Sequence, residues 1–220
     1  MTKKELIRLL HTAESPYDVC AHYKELAEVM PSISKMFCFD QRSKYHGYDL
    51  FTHCCATVAL LPKDLESDMV YLAALIHDIG KVKAQILLES GAASYKGHPE
   101  HSYVETISSI IPELSAAGIM LDSDEKEQLL FFVRHHDDDF KAMNYCLKRY
   151  RSLPKFWLLA WCNLEIADAK AHTMYQKTQE RVRTCNVMLN LVTKANISRE
   201  AECNNFASFY LKGVTNGYYR

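Results

Sequence analysis

The chain has 220 residues, 48% of them hydrophobic, which is enough to bury one substantial core. Its 26 basic and 27 acidic residues leave a formal charge of -1, so no overall field attracts nucleic acid or an anionic membrane surface. Eight cysteines without a C-x-x-C pair argue against a disulfide framework, and the apolar stretches are too short to span a bilayer, so we expect a cytoplasmic protein with reduced thiols and no membrane partner.

Apolar residues recur at three- and four-residue intervals through most of the chain, while glycine and proline are scarce, with 7 and 6 copies. This period predicts a mostly or wholly helical, all-α fold. The first helix is expected over roughly residues 3–12. The second, with Ser15 as its N-cap, runs to about residue 30, and a long connection over residues 31–47 follows.

An adjacent histidine and aspartate end the most apolar of the predicted helices. A helix containing His53 precedes it, and the next runs from Asp68 to His77 and Asp78, where Gly80 supplies the break. An imidazole and a carboxylate at the end of an apolar run are costly to desolvate unless something compensates them. A divalent cation would do so, because it prefers neutral imidazole nitrogen and carboxylate oxygen.

A loop and one more helix follow this pair. Residues 90–97 have no apolar period and predict the loop. Pro99 then begins a helix that extends through about residue 111. His98 is expected at the N-cap of this helix.

The last two predicted helices also carry candidate ligands. Ser123 opens a helix whose apolar run leads into His135 and His136. One long helix is predicted from about residue 154 to residue 192, and it carries Asp168. Asp168 lies among apolar residues, where an unpaired carboxylate would be costly to bury.

We expect a single domain over residues 1–220. Its core covers about residues 25–192, and the helices within residues 1–30 are expected to pack on that core. We assign no chemical role to the weakly patterned tail 193–220. Ligands on separate helices can converge only in the centre of a helical bundle, so the metal site is expected there. The candidate ligands are His53, His77 with Asp78, His98, His135 or His136, and Asp168.

Two other histidines near these candidates receive less specific roles. His172, one helical turn after Asp168, is expected as an outer partner or a surface histidine. His46 is expected to be structural or to face solvent.

Short segments around the candidate ligands form a pattern: Tyr45-His46-Gly47-Tyr48-Asp49-Leu50-Phe51-Thr52-His53, Leu61-Pro62, Ala74 to Lys81, Lys96-Gly97-His98 with Ser102, Val133 to Asp137, and Ala167-Asp168-Ala169. This pattern resembles the HD superfamily of metal-dependent phosphohydrolases. Over roughly residues 25–175 the chain is most similar to the HD domain of bacterial CCA-adding tRNA nucleotidyltransferases. The nucleotidyltransferase head has no counterpart here, so CCA addition is not implied.

The resemblance implies an all-α HD-domain bundle with one or two divalent ions at its centre, of Mn, Fe, Co, Ni, Zn or Mg. Pro99 departs from the family pattern, in which an acidic residue is usual at this place. The positions that match the family's ligands are His53, His77, Asp78 and Asp168 for the first ion, and His98 and His136 for a second, with His135 as the alternative to His136.

Such a site implies hydrolysis of a phosphoester, since bound ions activate water and polarise a phosphoryl oxygen. The expected activity is that of a phosphomonoesterase or phosphodiesterase, with a nucleotide, a cyclic phosphate or the phosphate at an RNA end as substrate. Asp78 and Lys81 are the expected catalytic residues. Lys81, His101 and Arg134 are the expected contacts to the small phosphorylated substrate.

Two other functions fit the same residues. Some HD relatives hold two irons and activate oxygen instead of water, and the ligand set here allows that chemistry. The bundle could also bind a metal or nucleotide as a signalling module without turnover. Metal analysis combined with oxygen uptake would separate the hydrolase from the oxygenase.

Overall fold

The computed structural model describes residues 1–44, 46–138, 153–172 and 176–194, and this part of the chain is all-α. Its only strands form a two-stranded antiparallel hairpin, β1 (Ile86–Leu87) and β2 (Ala93–Ser94). A 3₁₀ helix covers Pro31–Met36, and a π-helical segment covers Thr106–Ile110. The α-helices are α1 (Lys3–Thr12), α2 (Pro16–Cys20), α3 (Tyr23–Val29), α4 (Leu50–Ala59), α5 (Asp68–Ile76), α6 (Lys81–Ala84), α7 (His98–Glu105), α8 (Ile111–Ala116), α9 (Ser123–His135), α10 (Lys155–Ala171) and α11 (Gln176–Lys194).

Helix α5 lies at the centre of the bundle. Every residue from Met69 to Ile76 is buried, as expected for a helix that is apolar on all sides. Helices α1, α4, α9 and α10 pack around it. The residues that directly follow α5 therefore emerge in the middle of the fold.

The predicted helix over residues 15–30 is wrong as a single element. The chain leaves the helical path at His22, which has φ -99° and ψ 21°. This turn lets α2 pack against α4 while α3 packs against the 3₁₀ helix and α8. The 3₁₀ helix in turn occupies the start of the connection that the sequence predicts over residues 31–47.

The helix predicted from Pro99 is longer and begins differently. Gly97, with φ +80°, is its N-cap, and His98 is its first helical residue. The helix continues through the π-helical segment into α8 and ends at Ala116. Residues 90–97, expected as a loop, include β2.

The single helix predicted over about residues 154–192 is two helices. At the end of α10, His172 adopts an extended backbone with ψ 161°. Helix α11 runs antiparallel to α10. The start of α10 therefore lies beside the end of α11, and Lys155 Nζ donates to the Thr193 carbonyl at 3.2 Å. Folding back buries Cys185 and Met188 in the shared core, which one long helix could not do.

Buried apolar residues from Leu6 to Met188 form one hydrophobic cluster. Beyond Lys194, the predicted tail 193–220 lies outside the described residues. Within the described ranges, no helix combines the length and the apolar character needed to cross a membrane.

Candidate metal centre

Four side chains from three parts of the fold meet in the centre of the bundle. They are His53 of α4, His77 and Asp78 just after α5, and Asp168 of α10, and all four are buried. One ligand atom from each lies within 4.8 Å of the others. His53 Nε2 is 3.0 Å from Asp168 Oδ1 and 3.5 Å from Asp78 Oδ2. The structure thus brings together the residues expected to converge.

A second group of possible ligands shares Asp78 with the first. It adds His98, at the start of α7, and His136, just after α9. Asp78 Oδ1 lies 3.0 Å from His98 Nε2 and 3.3 Å from His136 Nε2. The two oxygens of Asp78 therefore face different groups, since Oδ2 points toward His53 and His77.

Backbone carbonyls orient three of the imidazole rings in the same way. Each ring donates from Nδ1 to the carbonyl three residues earlier: His77 to Ala74 at 2.8 Å, His98 to Tyr95 at 3.0 Å and His136 to Val133 at 2.7 Å. At the ends of α5 and α9 this bond also satisfies a carbonyl that has no partner within the helix. Because a carbonyl can only accept, Nδ1 carries the proton in each ring, and Nε2 points into the centre.

The Nε2 atoms of His98 and His136 face each other at the centre. They are 3.0 Å apart, and in each ring Nδ1 is already bonded to a backbone carbonyl. Two lone pairs at this distance repel each other unless a cation or an additional proton lies between them. A shared metal ion would satisfy both nitrogens, and this arrangement is typical of ligating histidines.

The first group also contains a buried ligand atom without a hydrogen bond. His77 Nε2 of this group, and Asp78 Oδ1, which faces the second group, are buried and have no hydrogen bond to any described atom. Burial would lower the pKa of His77, but the Asp78 charge outweighs it and raises the pKa well above its ordinary value. The surroundings of His77 Nε2 therefore favour a positive charge, which a proton or a metal ion would supply.

The two aspartates are held as carboxylates. Burial raises the pKa of Asp78, but Lys81 and His77 outweigh that effect and hold it well below its ordinary value. Burial likewise raises the pKa of Asp168, and His172, His53 and His77 reverse the shift. Both side chains thus offer charged oxygen ligands.

Lys81 lies against the centre rather than extending into solvent. Its Nζ donates to Asp78 Oδ2 at 2.6 Å and to Gln41 Oε1 at 3.1 Å, and it lies 3.3 Å from His46 Nε2. Burial would lower the pKa of Lys81, but Asp78 and Asp168 raise it above its ordinary value, so the ammonium stays charged. In this structure the main contact of the Lys81 ammonium is therefore its ion pair with Asp78.

Gly80 brings the two ligand-bearing turns into contact. Its N–H donates to Ser102 Oγ at 2.9 Å, and a Cβ at this position would lie 2.4 Å from the His98 carbonyl oxygen. Its φ of -67° is ordinary for any residue, so close approach, and not conformation, requires glycine here. The helix expected to run to Asp78 and to break at Gly80 ends earlier, at Ile76, and Gly80 has a helical backbone conformation directly before α6.

A cavity of about 930 Å³ opens onto the ligand groups, and four of the candidate ligands line it: Asp78, His98, His136 and Asp168. Residues 92–99 form one wall, and Lys81 and His172 lie on the floor beside the ligands. The exposed cations Arg42, Lys44 and Lys96 line the entrance.

Three sequence-predicted residues lie away from this cavity. His101 is exposed and is not among the described residues that line it. Arg134 is also outside the lining, since it pairs with Glu100 at 3.0 Å and stacks on a tyrosine ring. His135, the alternative to His136, points the other way, with Nδ1 2.8 Å from Asp138 Oδ2. His101 and Arg134, the expected substrate contacts, are thus not brought to the cavity that the candidate ligands line.

Three further residues line the cavity: His46, which the sequence analysis expected to be structural or to face solvent, His172, which it expected as an outer partner or a surface histidine, and Arg181, which it missed. The rings of His46, His53 and His172 form a third cluster of possible ligand atoms within 4.8 Å of one another. Burial lowers the pKa of His46 to about 2, and burial also lowers the pKa of His172, against the opposing effect of Asp168. Arg181 of α11 pairs with Glu165 and Asp168. The one-turn spacing from Asp168 to His172 was a usable signal, whereas no sequence pattern marked Arg181.

The donor set consists of imidazole nitrogens and carboxylate oxygens, which suits divalent transition metals and partly Mg²⁺. The unpaired His77 Nε2 and the opposed Nε2 atoms of His98 and His136 fit such an ion.

Comparison of the chain with protein families, curated proteins and solved structures finds no match.

Proposed function

We propose that this chain is an HD-type, metal-dependent phosphohydrolase acting on a small phosphorylated substrate. The observation that carries the proposal is the pair of ligand groups that share Asp78 at the floor of a cavity. When bound, one or two divalent ions would supply Lewis acidity for cleavage of a phosphomonoester or phosphodiester.

The protein's own residues would hold and orient these ions. His53, His77 and Asp168 serve one ion, His98 and His136 serve the other, and Asp78 joins the two groups through its two oxygens. The carbonyl bonds to Nδ1 keep three rings aimed at the centre before any ligand arrives, which lowers the entropic cost of binding.

The substrate would enter from the side of the exposed cations. Its phosphate would meet the charge of Lys81 on the floor, and Arg42, Lys44 and Lys96 would attract further anionic groups. A volume of about 930 Å³ accommodates a nucleotide or cyclic phosphate, and the basic entrance also suits the phosphate at an RNA end.

We propose a reducing, cytoplasmic location, which fits the six described cysteines, all of them free.

A substrate panel tests the proposal. Purified protein is assayed with phosphomonoesters, cyclic phosphates and phosphodiesters in the presence of Mn²⁺, Co²⁺, Ni²⁺, Zn²⁺, Fe²⁺ or Mg²⁺. The variant Asp78→Asn removes the charge that both groups share while keeping the side-chain volume. The exposed Asp64→Asn is the matched control.

We expect wild type and D64N to hydrolyse the same phosphoester at similar rates, and D78N to lose turnover while keeping its helical circular dichroism. Equal turnover by D78N would place the reaction elsewhere. Paired iron with oxygen uptake and no hydrolysis would favour the oxygenase instead.

A further inference from the structure

Beside the candidate metal centre, a partly buried ion-pair network reaches both ligand groups from α11. Arg181 Nη1 donates to Asp168 Oδ2 at 3.2 Å, and Nη2 donates to the His136 carbonyl at 2.6 Å. Nε donates to Glu165 Oε2 at 2.9 Å, and Nη2 also bonds this oxygen. Nη1 lies 3.4 Å from Asp137 Oδ1 as well. Four of the five N–H groups of the guanidinium thus have an acceptor, and the remaining Nη1–H lies on the side of the Asp137 carboxylate.

We infer that Arg181 is a positioning residue of the metal centre, acting on one ligand from each group, Asp168 and His136. The inference rests on the proposed metal centre and deepens it.

The geometry at Asp168 supports this role. Its Oδ1 faces His53 at 3.0 Å and His77 at 3.4 Å, while Oδ2 is taken by Arg181. A carboxylate that is held at one oxygen cannot rotate freely, so the other oxygen stays directed at the histidines. Outer partners of this kind commonly set the orientation of metal ligands.

At His136 the same guanidinium acts on the backbone. It holds the carbonyl, while the ring of His136 is fixed through Nδ1 to the Val133 carbonyl. The helix end that presents His136 is therefore tied to α10 and α11. Loss of Arg181 would free both Asp168 and the turn that carries His136.

Glu165 anchors the guanidinium. It is fully buried and lies three residues before Asp168, on the same face of α10. Burial by itself would lower the pKa of Arg181, but Glu165, Asp168 and Asp137 raise it well above its ordinary value. The guanidinium stays charged and paired.

Arg181 lines the cavity, so binding of substrate is the competing role. Four of its five donors are already used, and the carboxyl groups of Glu165 and Asp168 lie directly against the guanidinium. A substrate phosphate would have to displace one of these carboxylates. Arg181 also lies C-terminal to the segments that carry the family resemblance.

Metal titration tests the inference without any substrate. The full chain is stripped with a chelator and titrated with Mn²⁺, and the visible spectrum is recorded with saturating Co²⁺. The variants are Arg181→Gln and Arg181→Lys, and Arg183→Gln on the exposed side of α11 is the matched control. Lys keeps the charge, so the test does not depend on R181Q remaining folded.

We expect R181Q to bind Mn²⁺ about 10- to 100-fold more weakly, R181K to be intermediate with an altered Co²⁺ spectrum, and R183Q to match wild type. A purely structural role would lower only the melting temperature of the metal-free protein and would overturn the inference. Wild-type Mn²⁺ affinity with a raised KM in both variants would make Arg181 a substrate ligand, also overturning it. If wild type itself binds no divalent ion, the proposed metal centre fails as well.

Discussion

At the scale of single residues, the direction of each imidazole ring decides its role. His135 and His136 are adjacent, so their side chains leave the chain about 100 degrees apart, and here they take different directions. His136 points into the centre, while His135 packs beside Trp161 and pairs with Asp138. The sequence could not decide which of the two histidines is the ligand, because both follow the same apolar run.

This difference gives a residue-scale prediction. His136→Gln should reduce the number of Mn²⁺ ions bound per chain from about two to about one, because only Asp78 and His98 remain in the second group. His135→Gln should leave the number unchanged. Equilibrium dialysis with elemental analysis measures both, and an equal loss in the two variants would contradict the assignment.

At the scale of elements, the turn after α5 must press directly against the first turn of α7. Gly80 makes this possible, since a Cβ there would lie 2.3 Å from the Ser102 backbone nitrogen. The same contact fixes the distance between Asp78 and His98, which belong to these two turns. The sequence predicted a helix break at Gly80. It could not indicate that the backbone of α7, at Ser102, lies too close to this position for any residue other than glycine.

Gly80→Ala should therefore destabilise the protein by about 3 kcal/mol and weaken metal binding by the second group, because backbone atoms must move apart. Gly118→Ala is the control. Its φ of +80° costs about 1 kcal/mol for alanine, but a Cβ there has open space around it. Urea unfolding and Mn²⁺ titration should show lower stability in both variants and weaker metal binding only in G80A.

At the scale of the whole molecule, an ion-pair network joins distant segments beneath α7. Glu105 accepts from Lys35 at 2.7 Å and from Lys83 at 2.6 Å, so it ties the 3₁₀ helix and α6 to α7. Burial raises the pKa of Glu105, but both lysines outweigh it and lower the pKa from 4.5 to about 2.

The sign of the resulting pH dependence follows from this shift. A carboxyl group with a lower pKa in the folded state stabilises the fold above pH 4.5, and this contribution is lost as the pH falls through about 2. Its size is about 2 kcal/mol, reduced because both lysine side chains are half exposed.

Glu105→Gln should accordingly lower the free energy of unfolding of metal-free protein near pH 7, and its difference from wild type should shrink between pH 5 and about pH 2. The exposed Glu89→Gln should match wild type throughout. Denaturant unfolding in the presence of a chelator measures the difference. A gap between E105Q and wild type that stays constant down to the lowest pH would contradict the account.

The sequence by itself determined the all-α class, the first helix and the residues that meet at the centre, because helical periodicity and buried polar residue types are local properties of the chain. Only the tertiary structure separated His136 from His135, removed Arg134 and His101 from the cavity, and added His46, His172 and Arg181 to it. It also folded the predicted C-terminal helix back on itself, which allows Arg181 to reach Asp168. These outcomes depend on which helix faces pack together, and burial of apolar surface between distant segments sets that packing.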